Sequence, residues 1–322
     1  MGRDLAAEYP EARSAFEQAA TALAQPGLVE LCFSGPDSDL KLTVNTQPAL
    51  LAASAAALAA LRRAVERCGG ALCPDFMAGH SLGEYSALVA AGSLGLADAV
   101  RLVRQRAELM QAAVPAGEGA MAALVGVRRD VAAQLAAETS AALTNQAVDI
   151  AGFNAPGQIV ISGNCEAVRH VCTRVKEQKL GRAVEIPVSA PFHCRLMEPA
   201  AAQLAEVLEH VAIQPPTCPI ISNVTALPTS DTTAIRRLLR EQVTHPVLWE
   251  DTVVTLLSAG VETFVEVGPR TVLSDLVRRC VREAPMLDAG RRAAIRILDT
   301  RDRESLERSA VALAVGGGVA AG

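Results

Sequence analysis

A sharp turn between a strand and a helix is predicted at Gly79-His80-Ser81-Leu82-Gly83-Glu84-Tyr85-Ser86-Ala87-Leu88. The stretch contains Gly-x-Ser-x-Gly, the pattern of a nucleophile elbow, in which a tight turn exposes the serine hydroxyl. We expect both glycines to be required, because a Cβ atom at Gly79 or Gly83 would press the strand against the helix. Ser81 would lie at a helix N-terminus, where free N–H groups and the helix dipole favour developing negative charge. A nucleophile in acyl transfer needs such an environment.

The flanking residues supply the context that this motif demands. Residues 71–78 can form a short strand, residues 82–91 contain good helix formers without proline, and Gly92 can end the helix. The alternative is an ordinary serine-containing turn, because so short a pattern arises by chance in roughly one chain in ten of this length. The strand and helix on either side favour the elbow.

Several segments together resemble one enzyme family. Residues 79–85 resemble the active-site signature of malonyl-CoA:acyl carrier protein transacylases and of the related acyltransferase domains of polyketide synthases. Four more segments resemble family blocks, in family order: Thr46-Gln47-Pro48-Ala49-Leu50, Phe153-Asn154-Ala155-Pro156-Gly157-Gln158-Ile159-Val160-Ile161-Ser162-Gly163, Pro191-Phe192-His193-Cys194 and Val265-Glu266-Val267-Gly268-Pro269. The resemblance extends from Met1 to about Arg279.

The resemblance implies a specific reaction. A malonyl group would pass from malonyl-CoA to the phosphopantetheine thiol of an acyl carrier protein, in a ping-pong reaction through malonyl-O-Ser81. The CoA thioester would be a substrate, and neither a metal nor a redox cofactor would be needed. Within the family, a stand-alone polyketide acyltransferase and the acyltransferase subunit of malonate decarboxylase remain alternatives. Outside it, the alternatives are a serine hydrolase or thioesterase, and an inactive relic that binds carrier proteins.

A serine hydroxyl needs a base to take its proton, and His193 is the favoured base. It follows a predicted strand and the turn at Pro191, which is where a base facing the elbow would lie, and its Pro-Phe-His context resembles the family base. His80 points away from the elbow and is expected to be a packing residue. The backbone N–H of Leu82 is the expected oxyanion donor.

Arg106 is the expected substrate-binding cation. It lies three or four residues from Leu102, Val103, Leu109 and Met110, inside the apolar stripe of its helix. A buried guanidinium needs an anionic partner or several hydrogen bonds, and an internal acidic partner or snorkelling is the alternative explanation. The resemblance implies that Arg106 binds the malonyl carboxylate, which suits a planar guanidinium.

The resemblance implies three further site residues. The main-chain carbonyl of Leu248, in Pro246-Val247-Leu248-Trp249, would orient the base. Phe192 would narrow the pocket against an α-methyl group, a discrimination worth only ~1–3 kcal/mol. Asn154 is expected to shape the substrate cleft.

Element order predicts an α/β protein with two subdomains. Residues 117–189 have the order β-α-β-β-α-β of a small ferredoxin-like subdomain. Around this insertion, residues 1–116 and 190–312 would form a large α/β-hydrolase-like subdomain with a mostly parallel sheet. The cleft would lie between the two, and residues 313–322 are predicted to be a flexible tail.

Composition narrows the possible partners and the compartment. Half of the residues are hydrophobic but only 3% are aromatic, which predicts close packing of small side chains. The net charge of −5 argues against nucleic acid as a partner. The apolar run 49–61 is shorter than the ~20 residues that a bilayer requires, so no membrane association is expected. Eight scattered cysteines without a secretory leader indicate reduced thiols in the cytoplasm, and we expect a monomer.

The beginning of the sequence differs from the family pattern. Family members usually start with a strand that ends in a Gly-Gln-Gly-Ser-Gln-like loop, before a segment like Met1-Gly2-Arg3-Asp4-Leu5, which here opens the sequence. The resemblance therefore implies that the first strand and one oxyanion donor are missing. A misassigned start or a shortened chain is the favoured explanation, and a chain of impaired activity is the alternative.

Overall fold

The computed structural model describes residues 1–188 and 190–316. The helices are α1 Arg3–Glu8, α2 Pro10–Ala22, α3 Leu28–Ser34, α4 Asp37–Leu40, α5 Thr43–Arg67, α6 Leu82–Ala90, α7 Leu96–Ala112, α8 Arg129–Ala142, α9 Cys165–Glu177, α10 Glu198–Glu209, α11 Thr232–Glu241, α12 Trp249–Ser258, α13 Val272–Glu283, α14 Ala289–Ala294 and α15 Arg303–Gly316, with a 3₁₀ turn at Arg195–Met197. The strands are β1 Met77–Ala78, β2 Gly119–Val125, β3 Val148–Ala155, β4 Gln158–Asn164, β5 Arg182–Ile186, β6 Ile220–Ile221, β7 Pro228–Thr229, β8 Val247–Leu248, β9 Thr263–Glu266 and β10 Arg296–Asp299.

The strands form mixed sheets, so the α/β class is confirmed. Strand β1 pairs in parallel with β6, which pairs antiparallel with β7, and β9 pairs in parallel with β10 in a separate sheet. The single, mostly parallel sheet predicted for this part of the chain is therefore replaced, among the described residues, by two short sheets. The strand predicted over residues 71–78 is reduced to Met77–Ala78.

The inserted segment has the predicted element order. Elements β2-α8-β3-β4-α9-β5 follow one another, and their sheet has the order β5-β2-β4-β3-β8. Neighbouring strands are antiparallel except β8, which joins β3 in parallel and comes from beyond the insertion. Helices α8 and α9 contribute apolar residues to the core of this sheet. Residue 189, at the predicted boundary, lies outside the described residues.

Helix α5 is central to the largest hydrophobic core. It packs against α2, α7 and α15, and its alanines Ala49, Ala52, Ala56 and Ala60 are fully buried. The apolar run 49–61 lies inside a helix of 25 residues whose most apolar window has a mean hydropathy of 1.3, so by length and composition alone this helix could cross a membrane. However, 67% of that window is buried inside the protein, which is the pattern of a core helix.

Helices α1 and α2 are separated at Tyr9, whose φ of −113° and ψ of 109° are extended. The division is expected before Pro10, because proline disfavours the helical conformation at the preceding residue. The flexible tail predicted over residues 313–322 is wrong for residues 313–316, which belong to α15. Residues 317–322 lie outside the described residues.

Candidate active site

Ser81 occupies a strained turn between β1 and α6. Its φ of 51° and ψ of −107° lie in a region that residues with a Cβ atom rarely adopt. An ideal Cβ atom on Gly79 would lie 2.0 Å from the main-chain carbon and oxygen of Gly83, so position 79 must be glycine. The same requirement predicted for Gly83 was wrong, because a Cβ atom there would meet open space.

The structure brings His193 to the serine. His193 Nε2 lies 2.7 Å from Ser81 Oγ, and His193 Nδ1 lies 2.8 Å from the main-chain oxygen of Gln242. A carbonyl oxygen can only accept, so Nδ1 carries the proton of the neutral ring. Nε2 is therefore the acceptor that faces the serine hydroxyl.

The orienting carbonyl belongs to Gln242 and not to Leu248, so the sequence-based assignment of Leu248 was wrong. Leu248 lies in β8, where it pairs with Phe153, and its N–H donates to the main-chain oxygen of Asn223 at 2.9 Å. This pairing holds residue 248 at the edge of the five-stranded sheet. The chain reaches the imidazole six residues earlier, directly after α11.

Arg106 is buried beside the nucleophile, with 1% of its surface exposed. Its Nη1 donates to Gln47 Oε1 at 2.7 Å, and its Nη2 donates to Gln242 Oε1 at 3.0 Å and to Ser81 Oγ at 3.1 Å. These acceptors are all neutral, and within the described part of the chain Arg106 forms no ion pair. The internal acidic partner considered from the sequence is therefore not found there as an ion pair, although the charge of Glu84 acts on Arg106 from nearby. A directly bonded anionic partner for this guanidinium would come from a ligand.

Burial shifts the ionisation of two groups in the site. Desolvation, assisted by the charge of Arg106, lowers the pKa of His193 from 6.5 to about 3. Desolvation also raises the pKa of Glu84 from 4.5 to about 7, against the hydrogen bonds that Gln242 and Asn223 donate to it. His193 is thus a neutral proton acceptor at physiological pH.

Leu82 is the first residue of α6, so its N–H has no acceptor within the helix. In the described ranges of the chain it has no other acceptor either. The N–H of Ser81, by contrast, donates to Asn223 Oδ1 at 2.6 Å. Of these two amides, only that of Leu82 is free to stabilise an oxyanion beside Ser81.

A cavity of about 600 Å³ opens over this site. Its lining includes Ser81, Leu82, Arg106 and Phe192, together with Lys41, Thr43, Thr46, Gln47, Leu50, His80, Met110, Pro187 and Val188. The predicted contact of Asn154 with substrate is not supported, because this lining does not include it. Asn154 Oδ1 instead lies 2.8 Å from His80 Nε2, behind the elbow. His80 also packs against Trp249, with ring centroids 5.8 Å apart. It lines the cavity as well, so the prediction that it points away from the elbow holds only in part.

Sequence reasoning missed four polar residues of the site: Gln47, Glu84, Asn223 and Gln242. Gln47 and Glu84 stand inside segments that resemble family blocks, but no role was assigned to either. Asn223 follows β6, and Gln242 follows α11. Nothing in the local sequence marks these two, because only the tertiary fold brings them to Ser81.

Comparisons with known proteins agree on one family. Residues 1–315 match the model of the acyl transferase domain. The chain is 43% identical over 282 residues to the malonyl CoA-acyl carrier protein transacylase of Bacillus subtilis, covering 88% of this chain and 86% of that protein. The crystal structure of FabD from Acinetobacter baumannii matches with a TM-score of 0.87 and 41% identity, over 98% of this chain and 94% of that one. A malonyl-transacylase solved in complex with a type II polyketide synthase acyl-carrier protein matches with a TM-score of 0.87 and 38% identity, over 97% and 94% of the two chains.

Proposed function

Because the chain belongs to the acyl transferase domain family, we propose that it transfers a malonyl group from malonyl-CoA to an acyl carrier protein. It is a malonyl-CoA:acyl carrier protein S-malonyltransferase. The detailed mechanism rests on two contacts of Ser81 Oγ. This atom lies 2.7 Å from His193 Nε2 and 3.1 Å from Arg106 Nη2. These contacts support the roles proposed for Ser81 as nucleophile, for His193 as base and for Arg106 as the cation that binds the substrate carboxylate.

Acylation begins with proton transfer from Ser81 Oγ to His193 Nε2. The oxygen attacks the thioester carbonyl, and the oxyanion that forms accepts a hydrogen bond from the N–H of Leu82. The tetrahedral intermediate collapses as the carbon–sulfur bond breaks. His193 returns the proton to the departing thiolate of CoA, which leaves malonyl-O-Ser81.

Transfer reverses these steps with a different thiol. The phosphopantetheine thiol of the carrier protein gives its proton to His193 and attacks the ester carbonyl. The bond to Ser81 Oγ breaks, and the serine takes back the proton. One thioester is consumed and another is formed with no change of oxidation state, so the reaction as proposed uses no redox cofactor, and none of its steps involves a metal.

Arg106 gives the site its preference for a dicarboxylic acyl group. A substrate carboxylate is a stronger acceptor than the neutral oxygens that Arg106 now contacts. Phe192 lies on the cavity wall, where a ring would restrict an α-methyl group. The thioesterase alternative gives no purpose to a buried, unpaired guanidinium, and acyl transfer is therefore the better explanation.

Intact-mass analysis tests this mechanism. The protein is mixed with malonyl-CoA and then with a phosphopantetheinylated carrier protein, and both masses are followed. We expect one malonyl group to add to Ser81 and then to move to the carrier, while Ser81→Ala gains none. Rapid release of free malonate would favour the hydrolase, an absence of labelling would favour the inactive relic, and an adduct on another residue would contradict the role of Ser81.

We also propose the two-subdomain organisation predicted from the sequence. An inserted ferredoxin-like subdomain within a hydrolase-like one is supported by separate hydrophobic clusters, one centred on α5 and one under the five-stranded sheet. A cytoplasmic monomer remains our proposal for the state in which the protein works. Sedimentation of the purified protein would test the monomer.

A further inference from the structure

A cluster of buried polar side chains lies behind the elbow, outside the cavity lining. Its members are Glu84 in α6, Asn223 after β6 and Gln242 after α11, which are 3%, 1% and 1% exposed. None of them would touch a substrate in the mechanism above. Buried polar groups are normally hydrogen-bonded, so the role of this cluster can be inferred from the groups that accept and donate its hydrogen bonds.

The side-chain amide of Asn223 hydrogen-bonds to two main-chain groups of the turn that carries the nucleophile. Its Nδ2 donates to the main-chain oxygen of Gly79 at 2.7 Å, and its Oδ1 accepts from the N–H of Ser81 at 2.6 Å. These two bonds connect Gly79, which lies two residues before the nucleophile, to Ser81 itself. They stabilise a backbone conformation that is unfavourable for a serine.

Gln242 connects the three functional side chains. Its Nε2 donates to the main-chain oxygen of Ser81 at 3.1 Å, and its Oε1 accepts from Arg106 at 3.0 Å. Its main-chain oxygen lies 2.8 Å from His193 Nδ1. The side-chain amide of Gln242 therefore contacts the main chain of Ser81 and the guanidinium of Arg106, while the main chain of the same residue orients His193.

Glu84 sets that orientation. Its Oε2 accepts from Gln242 Nε2 at 2.7 Å and from the N–H of Asn223 at 3.2 Å. If the amide of Gln242 were flipped, its oxygen would face the carboxyl oxygen of Glu84 and its N–H groups would face those of Arg106. Both encounters would be repulsive, so an acceptor at position 84 forces Gln242 to present its oxygen to Arg106.

We propose that Glu84 is a positioning residue for acyl transfer, because its carboxyl group orients Gln242 and fixes Asn223. These two residues then keep Ser81, His193 and Arg106 at the distances that the reaction needs. This inference rests on the proposed function. The side chain of Glu84 makes no hydrogen bond to Ser81 or His193 in the described chain, so it acts through the two amide residues. This role requires a side chain at position 84 that is long enough to reach Gln242 and that ends in a hydrogen-bond acceptor.

The test compares three variants at this position with a matched control. Glu84→Gln keeps an acceptor oxygen, Glu84→Met keeps the volume without an acceptor, and Glu84→Ala keeps neither. Glu266 is the control residue, because its carboxylate also accepts two hydrogen bonds, here both from main-chain N–H groups, of Leu273 at 3.1 Å and of Ser274 at 2.6 Å. It lies in β9, away from the cavity lining.

Two readouts are needed. The first is the rate at which a fluorophosphonate probe labels Ser81, which requires an aligned serine and base but no malonyl-CoA. The second is kcat and KM for malonyl transfer. We expect Glu84→Gln to stay within about 3-fold of the wild type, and Glu84→Met and Glu84→Ala to lose about 10- to 100-fold in labelling and in kcat, because unmaking a buried hydrogen bond typically costs about 1–3 kcal/mol.

The outcomes are distinguishable. Glu266→Met should lower the unfolding temperature and leave the labelling rate of the folded enzyme unchanged. If Glu84→Ala does not fold, the labelling rate of Glu84→Met decides. Labelling of Glu84→Met at the wild-type rate would overturn the proposal, and so would an equal loss in Glu84→Gln, which would indicate that charge matters instead. If the wild type is labelled but transfers no malonyl group, the proposed function fails and the labelling rates still decide the role of Glu84.

Discussion

Arg106 Nη2 lies 3.1 Å from Ser81 Oγ, so the buried cation contacts the nucleophile itself. The hydroxyl accepts from Arg106 while it donates to His193, 2.7 Å away. A carboxylate that enters the cavity competes for the same guanidinium, because charged acceptors form the stronger bonds. Recognition of the acyl group and the environment of the nucleophile are therefore linked through one side chain.

Replacing Arg106 should change the choice of acyl donor. For Arg106→Ala we expect kcat/KM for malonyl-CoA to fall by about 10²-fold or more, since removing one partner of a buried, hydrogen-bonded charge pair costs about 2–5 kcal/mol. Acetyl-CoA lacks the carboxylate and should lose far less. Acylation rates with both thioesters provide the measurement.

The control for this prediction is Arg101→Ala. Arg101 is on the same helix but is exposed and paired with Asp98, so its loss should leave both rates unchanged. An equal loss for malonyl-CoA and acetyl-CoA in Arg106→Ala would show that the arginine has only a structural role.

The two glycines of the elbow should respond differently to alanine. Gly79→Ala places a Cβ atom 2.0 Å from main-chain atoms of Gly83, so we expect loss of the native fold or at least about 3 kcal/mol of destabilisation. Gly83→Ala meets open space and should be neutral or stabilising by up to about 1 kcal/mol, because alanine favours the helix. Thermal unfolding of the two variants measures this. Similar unfolding temperatures would contradict the backbone contact on which the prediction depends.

His193 should remain able to act as a base at acidic pH. The pKa of His193 is lowered to about 3, so the imidazole stays neutral where an ordinary histidine, with a pKa of about 6.5, would be protonated. We expect the rate of fluorophosphonate labelling of Ser81 to show no acidic decline between about pH 8 and pH 5. A fall in that rate centred near pH 6.5 would show that the burial of His193 does not shift its ionisation.

Glu84 should make stability depend on pH. Its pKa is raised from 4.5 to about 7, so its stabilising contribution is fully present below the unfolded value and is lost as pH rises through the folded one. Glu84→Gln cannot ionise, so between about pH 4.5 and 7 the stability of the variant relative to the wild type should rise, by about 3 kcal/mol at most. Urea unfolding at several pH values measures this difference, and His193 contributes equally to both proteins. A difference that is constant with pH would refute the shifted ionisation.

The elbow and its base were predictable because their signals are local. Gly79, Ser81 and the helix after them form a short pattern with one structural meaning, and His193 follows a strand end in a segment that resembles a family block. Arg106 could be found because a charge inside an apolar helical stripe conflicts with its surroundings. In each case the near neighbours drew attention to the residue, and the resemblance to the family supplied its role.

Other parts of the site could not be read in this way. The base is oriented by a main-chain carbonyl, and every residue has one, so choosing Leu248 over Gln242 could not be checked without the fold. Asn223 and Gln242 are 142 and 161 residues from Ser81, and amide side chains are common at surfaces and loops. The lengths of β1 and β6 also depend on pairing between distant segments, which local propensity does not encode.

The separation between Ser81 and Gln242 has a consequence for the newly made chain. Ribosomes add ~5–20 residues per second, so the elbow exists for on the order of 10 s before the segment that carries Gln242 has been synthesised. Throughout that interval the turn lacks Gln242, and until residue 193 has been added the serine also lacks its base. We therefore expect a nascent or prematurely terminated polypeptide to consume little thioester, because only a chain translated past residue 242 contains every group of the proposed site.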